Sequence, residues 1–137
     1  MRTILSSILA TAMLMGAQPS MAEDQSHVEK LKATKKCEGC DLIGSNLTGM
    51  NLQGADLYRA RLSGADLTGA DLQGAYLRRT DLKGANLTNA NLTGVNLTDA
   101  NLKNANLTAA DLTEANLEYA TICKTTMPDG TVRNNNC

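Results

Sequence analysis

The sequence has no Trp and no Phe, and aromatic residues make up only 2% of its 137 positions. A conventional globular core is hard to assemble without large rings. A single His excludes catalysis by a His pair and a His-rich metal site. The 13 basic and 14 acidic residues give a net charge of −1, so the chain lacks the basic footprint of a nucleic-acid-binding surface. Only two prolines are present, which excludes a collagen-like or Pro-rich chain.

The first 22 residues have the layout of a secretory signal peptide. Arg2 precedes a mostly apolar run over residues 4–17, and small residues stand at positions −3 and −1 of a cut before Glu23. The apolar run is too short to span a bilayer comfortably, which disfavours a membrane anchor. We therefore expect an exported protein with no membrane anchor after signal cleavage.

Four cysteines allow three disulfide pairings, which an oxidising compartment would permit. Cys37 and Cys40 form a CxxC motif, and Cys123 and Cys137 lie near the other end of the chain. A thiol-redox role needs a thioredoxin-like βαβ setting, and a haem role needs His where Asp41 stands. A zinc site needs two further ligands, so these patterns favour a structural role for the motif.

The dominant feature of the sequence is a Leu at every fifth position. It recurs without a break from Leu42 to Leu117 and continues at Ile122. A small residue, most often Ala, lies two positions before each Leu, and Asp or Asn mostly stands between the two. The 85 residues over 40–124 make 17 consecutive pentads, so an internal repeat determines the architecture.

A period of five fits neither a helix nor a flat strand. On an α-helix each Leu would land about 140° from the previous one, so no apolar stripe would form. On a strand, alternate Leu side chains would point to opposite faces. A chain that turns a corner every five residues buries them all, with Leu and the small residue inward and the other three positions outward. We therefore predict an all-β solenoid.

Several residue types recur at a spacing of twenty, which indicates four sides per coil. The second residue after Leu is Gly in the first nine pentads except at Arg59 and Arg79, which are twenty apart. The tyrosines fall in pentads 4, 8 and 16. A column of threonines has the same spacing: Thr48, Thr68, Thr88 and Thr108.

Stretches such as Ala-Asp-Leu-Thr-Gly over 65–69 and Ala-Asn-Leu-Thr-Asn over 85–89 resemble the A(D/N)LxX motif of the pentapeptide-repeat family. That resemblance implies a right-handed quadrilateral β-helix of about four coils. For an exported member of the family it also implies the periplasm or, in a cyanobacterium, the thylakoid lumen. Exported proteins of this kind carry cysteine pairs at the ends of the repeats, which implies a Cys37–Cys40 and a Cys123–Cys137 disulfide. Free thiols, or a Cys40–Cys123 link, would contradict this pairing.

Open solenoid ends expose Leu side chains and strand edges, so both ends need caps. A short helix over 24–36, begun by Ser26, is expected to place Val28 and Leu31 over the first coil. The tail through Val132 is expected to fold back over the last coil. The expected organisation is a signal peptide over 1–22, an N-terminal cap over 23–39, the β-helix over 40–124 and a C-terminal cap over 125–137.

One side of the predicted solenoid differs from the others in its outward residues. Tyrosines and arginines concentrate on the side centred on Leu57, Leu77, Leu97 and Leu117, and such residues are typical of protein-contact surfaces. The alternative is a solvated wall with ion-pair ladders. The predicted contact residues are Tyr58, Arg59, Arg61, Tyr76, Arg78, Arg79, Glu118 and Tyr119.

These observations favour a non-enzymatic exported scaffold that binds an unidentified protein and exists as a monomer or weak dimer. No catalytic residues, cofactor, metal or nucleic acid are expected. One alternative is a DNA-mimicking topoisomerase inhibitor, which the near-zero net charge, the clustered arginines and export disfavour. The other is a thiol-redox protein that uses Cys37 and Cys40.

Overall fold

The computed structural model describes residues 19–137, with side chains from Ser26 onward, and most of the predicted signal peptide lies outside the described residues. Helix α1 spans Pro19–Thr34, strand β1 spans Ile122–Thr126 and strand β2 spans Val132–Asn135. Between α1 and β1 the chain forms a ladder of short β-bridges. The described elements are thus one helix, a bridge ladder and a terminal strand pair.

Helix α1 differs from the expected helix over 24–36 at both ends. It begins at Pro19, a residue favoured in the first helical position because its fixed φ suits a helix. Ser26 lies inside the helix, so its expected role at the helix start is wrong. Lys35 has a φ of 54° and its amide donates to the Leu31 carbonyl at 2.9 Å. This left-handed residue ends the helix and directs the chain into the ladder.

The ladder pairs each pentad with the residue twenty positions further along. All 15 bridges are parallel and advance in steps of five, from Lys36 with Asp56 to Asn106 with Thr126. Twenty residues therefore complete one coil with four sides. This arrangement confirms the four-sided β-solenoid that the spacing of Arg59 and Arg79 predicted.

The ladder extends one pentad beyond each of the expected boundaries at Cys40 and Lys124. Cys37 occupies the Leu position of an additional first pentad and is fully buried, and Gly39 donates its amide to the Tyr58 carbonyl at 2.8 Å. Met127 occupies the Leu position of an additional last pentad and is 6% exposed. The pattern of Leu and Ile alone missed both, because other apolar residues fill these two positions.

The core is a column of leucines and small residues inside the coils. Every repeat Leu from Leu42 to Leu107 is buried to 1% exposure or less. Two threonines replace Ala in the interior of the solenoid, and both hydroxyl groups are hydrogen-bonded. Thr80 donates to the Leu57 carbonyl at 2.9 Å, and Thr125 donates to the Leu102 carbonyl at 2.7 Å. A buried hydroxyl is tolerated at these positions because it is hydrogen-bonded.

The Asp or Asn that precedes most of the repeat leucines shapes the local backbone. Its Oδ1 accepts the amide two residues later, as Asp66 accepts from Thr68 at 3.0 Å, and the Thr68 hydroxyl donates to the same oxygen at 2.6 Å. These Asx turns explain why the position prefers Asp and Asn. The Thr68 hydroxyl, followed by the Thr68 amide, holds the pKa of Asp66 below its ordinary value, and Thr113 acts in the same way on the pKa of Asp111.

Helix α1 packs against the first coil of the solenoid. Val28 and Leu31 are buried in the same apolar cluster as the repeat leucines. The Asp41 amide donates to Nδ1 of His27 at 3.1 Å, which links the helix to the first coil. Apolar contacts and this hydrogen bond to a side chain therefore hold α1 against the solenoid.

The C-terminal end is covered on only part of its area. β2 pairs antiparallel with β1, so the ladder continues by one strand along that edge. The tail, expected to fold back over the last coil, returns as β2 along β1 alone. Leu112 and Leu117 remain only partly buried, because no further pentad lies against them.

Both expected disulfides are present, and they close the two ends of the solenoid. Cys37 and Cys40 are bonded across the first corner, with their Cα atoms 5.1 Å apart. Cys123 and Cys137 are bonded with a Cα separation of 5.0 Å and tie the chain end to β1. Cys37 and Cys40 therefore occupy a Leu position and an Ala position of the repeat.

Candidate protein-contact face

The predicted contact residues concentrate on the side of the solenoid whose central residues are Cys37, Leu57, Leu77, Leu97 and Leu117; we call it the Tyr–Arg face. Neighbouring strands in a β-sheet lie about 4.8 Å apart, so equivalent residues on this face stack at about that interval. The outward columns are Lys36, Asp56, Tyr76, Asn96 and Asn116; Glu38, Tyr58, Arg78, Thr98 and Glu118; and, at the corner, Gly39, Arg59, Arg79, Asp99 and Tyr119.

A shallow groove of about 410 Å³ lies in the N-terminal half of this face. Tyr58, Tyr76 and Arg78 contribute the larger side chains, and Tyr76 is 56% exposed. The remaining lining residues are Glu38, Asp56 and Asn96. The groove therefore combines two aromatic rings, one guanidinium and two carboxylates.

The three arginines of the face share few acidic partners. Nε of Arg78 and Nε of Arg79 lie 3.8 Å and 3.6 Å from the same carboxylate oxygen of Asp99. The guanidinium of Arg59 lies over the Tyr58 ring, 5.1 Å from its centroid, in a cation–π contact. One carboxylate thus serves two guanidinium groups, and no carboxylate of the described residues lies in ion-pair range of Arg59.

Arg59 and Arg79 stand where the backbone favours glycine. Their φ angles are 57° and 59°, in the left-handed region, and every other corner position from Gly39 to Gly84 is Gly. An L-residue in this region costs about 1 kcal/mol relative to Gly. The two arginines therefore occupy stacked corners at a cost in stability, with their side chains directed outward.

The structure separates the predicted contact residues into two groups. Tyr58, Arg59, Tyr76, Arg78 and Arg79 lie together at and beside the groove. The others do not line it. Arg61 lies on the next side and donates to Asp41 at 3.0 Å, and Glu118 and Tyr119 lie two coils below the Arg78 row.

Three polar residues of this site were not predicted from the sequence: Glu38, Asp56 and Asn96, which line the groove. Asp99, which the repeat spacing places on this side, pairs with Arg78 and Arg79. The spacing of twenty residues could have identified the three groove residues, because it places Glu38 in the same column as Tyr58. Starting the repeat at Cys40 excluded the pentad that contains Glu38.

The described residues offer neither a metal-binding cluster nor a membrane-spanning helix. Among residues 26–137, no three His, Cys, Asp or Glu side chains stand close enough to share a metal ion. No helix of the described region is long and apolar enough to cross a membrane. Cys37 and Cys40 are 0% and 4% exposed, so an external thiolate has little access to the disulfide between them.

A four-sided coil of twenty residues, with Leu inward and Asp or Asn before it, defines a class of β-solenoid. The family model for pentapeptide repeats matches the chain in eight copies, over residues 36–74, 60–99 and 90–127. The chain belongs to the pentapeptide-repeat family. The first and last matched residues, Lys36 and Met127, agree with the ladder rather than with the narrower range 40–124. No curated protein gives a significant match.

Several solved structures are similar to the chain. The pentapeptide repeat protein Rfr23 from the cyanobacterium Cyanothece 51142 is 31% identical, with 70% of this chain and 92% of that one covered and a TM-score of 0.56. A pentapeptide repeat protein of the Arabidopsis thaliana thylakoid lumen is 29% identical, with coverages of 72% and 70% and a TM-score of 0.46. QnrB1, a plasmid-mediated fluoroquinolone resistance protein, is 23% identical, with coverages of 67% and 57% and a TM-score of 0.40.

Proposed function

We propose that this protein is an exported, non-enzymatic interaction module that binds a protein partner through the Tyr–Arg face. The observation that carries the proposal is the combination of an aromatic groove with three arginines, of which Arg78 and Arg79 share one carboxylate, Asp99. Elsewhere the columns consist mainly of Asp, Asn, Thr and Gly, which favour solvation and local turns. Tyr and Arg anchors dominate protein-binding surfaces because they offer large contact areas and several hydrogen-bond donors.

The proposal includes a right-handed β-helix of about four coils, closed by helix α1 and by the β1–β2 hairpin. It also includes export to the periplasm or a thylakoid lumen. Two disulfides support export, since such bonds persist in oxidising compartments, and the pattern of residues 1–22 is that of a signal peptide. A DNA-mimicking surface would be predominantly acidic, which the arginines of the Tyr–Arg face disfavour.

Site-specific photo-crosslinking in cells tests the binding role. A benzophenone amino acid replaces Tyr76 in the groove or, as the control, Thr88 on the opposite side of the coil. We expect a crosslinked partner from position 76 and none from position 88. The same product should be lost when Arg78→Gln and Arg79→Gln are introduced together. Equal crosslinking from the two positions would contradict the proposal.

A further inference from the structure

We infer that the Tyr–Arg face recognises a short acidic segment of its partner, with Asp or Glu carboxylates held by Arg59, Arg78 and Arg79. This inference rests on the proposed function and names the chemistry of the partner. It starts from the charge of the face. Within the described residues, Asp99 is the one carboxylate in ion-pair range of these arginines, and it lies 3.6 Å from Arg79 and 3.8 Å from Arg78.

The guanidinium groups retain donors for a ligand. Each guanidinium carries five N–H donors in a planar fork, and a carboxylate accepts two of them in parallel. Asp99 faces the Nε atoms of Arg78 and Arg79 at distances longer than a hydrogen bond. Arg59 makes a cation–π contact with the Tyr58 ring and has no carboxylate in ion-pair range among the described residues. Incoming carboxylates can therefore form stronger contacts than the existing ones.

The backbone holds the arginines in fixed relative positions before any ligand binds. The Arg59 amide donates to the Arg78 carbonyl at 3.1 Å, and the Arg79 amide donates to the Thr98 carbonyl at 3.0 Å. Arg59 and Arg79 therefore lie one strand spacing apart, about 4.8 Å along the solenoid axis. A preformed array of this kind loses little backbone entropy on binding.

Acidic residues above and below the arginines disfavour a ligand that follows the solenoid axis. Glu38 lies one coil before Arg59, Asp56 lies in the same coil as Arg59, and Asp99 and Glu118 lie on the C-terminal side of the arginines. A nucleic-acid backbone or an anionic membrane carries charge continuously and would meet all of these carboxylates. An acidic peptide that crosses the face at the arginines passes Asp56 and Asp99 but avoids Glu38 and Glu118. Tyr58 and Tyr76 supply apolar contact and phenolic hydroxyl groups beside the arginines.

Fluorescence anisotropy with a labelled hexaglutamate peptide tests the inference at low ionic strength, where charge interactions are least screened. We expect saturable binding that weakens by about tenfold or more in the Arg78→Gln/Arg79→Gln variant. The matched control is Lys83→Gln/Lys103→Gln, which removes the same charge from the next side of the solenoid. We expect this control to bind like the wild type, and thermal melts of both variants establish that they are folded.

Three outcomes would overturn the inference. They are no binding of hexaglutamate, an equal loss in both double variants, and binding of a short DNA duplex as tight as that of the peptide. The photo-crosslink separates this inference from the proposed function. A product from position 76 that excess hexaglutamate leaves unchanged would retain the contact face and refute the acidic segment. Peptide binding without any product from position 76 would refute the contact role alone.

Discussion

Cys37 occupies the same position on the first coil as Leu57 does on the second, one strand spacing further along the solenoid. Both side chains are fully buried, and the Cys37 amide donates to the Asp56 carbonyl at 2.7 Å, the bond that the ladder uses throughout. The CxxC motif is thus part of the repeat. Its first Cys replaces Leu and its second, Cys40, replaces Ala.

The double substitution Cys37→Leu/Cys40→Ala should therefore preserve the fold, because it restores a regular pentad. The variant Cys37→Ser/Cys40→Ser should be less stable than the wild type by about 2 kcal/mol or more, since it removes the disulfide and also places hydroxyl groups in apolar positions. Denaturant unfolding followed by circular dichroism compares the two. A serine variant as stable as the Leu/Ala variant would show that burial at position 37 is unimportant.

Leu82→Lys should prevent folding, because Leu82 is fully buried near the middle of the bore. Burying an unpaired ammonium group at this position should lower the free energy of unfolding by more than about 4–5 kcal/mol, which is the upper end for point mutations. The control is Lys83→Leu at the adjacent outward position, which should fold normally. A cooperative melt of Leu82→Lys near the wild-type temperature would refute the inward orientation of the leucines.

Thr80→Val should destabilise the protein by about 1 kcal/mol, because it removes the hydrogen bond to the Leu57 carbonyl without changing side-chain volume. The Leu57 carbonyl still accepts the Ala60 amide at 2.9 Å, which keeps the loss small. Val95 occupies the Ala position of a pentad on another side of the solenoid, so Val95→Thr is the reverse test. Equilibrium unfolding of both variants measures the effect, and a loss above about 3 kcal/mol for Thr80→Val would indicate strain instead.

Thr68→Val should raise the pKa of Asp66 toward its ordinary value, because the Thr68 hydroxyl is the main cause of the lowered pKa. A carboxyl group whose pKa is lower in the folded state contributes stability above its unfolded pKa, and that contribution is lost as the pH falls. The variant should therefore lose stability near neutral pH and show a smaller further loss below about pH 4.

Carboxyl titration followed by NMR, together with melts at several pH values, measures the change at Asp66. Thr88→Val is the matched control. Thr88 makes the same contacts with Asn86, whose amide does not titrate. A pKa of Asp66 that is unchanged in Thr68→Val would exclude the hydroxyl as the cause.

Arg59→Gly should stabilise the fold by up to about 1 kcal/mol, because Gly adopts the left-handed backbone of the corner without steric cost. The same change should weaken hexaglutamate binding, since it removes one guanidinium from the Tyr–Arg face. Thermal melts and anisotropy on the same sample give both values. Higher stability with unchanged peptide binding would show that Arg59 does not contribute to binding the peptide.

The core and the number of sides could be predicted from sequence because each depends on a strict period. A Leu every fifth residue is buried only when the chain turns at that interval, and the bridges from Lys36 to Thr126 follow that period. Deviations from the period were less predictable. Cys37 and Met127 fill Leu positions with other residue types, so the boundaries were placed one pentad short.

The candidate site was only partly predictable for a related reason. The columns placed Tyr58, Tyr76 and Arg78 on one side, but side-chain pairing depends on rotamers that spacing does not determine. Arg61 pairs with Asp41 on the next side at 3.0 Å, and Asp99 lies between two arginines. The end of helix α1 at Thr34 depends on the left-handed Lys35, a conformation with no clear signal in that residue type.

The pairing of every residue with the one twenty positions away has a consequence for how such chains change in length. Deleting five residues, for example 81–85, would leave each remaining Leu buried but shift all later sides by a quarter turn. The residues that now follow Arg78 and Arg79 down the Tyr–Arg face would then lie around the corner. Only the loss or gain of a whole coil of twenty residues preserves the Tyr–Arg face. A change of five residues is therefore compatible with the fold but not with this face.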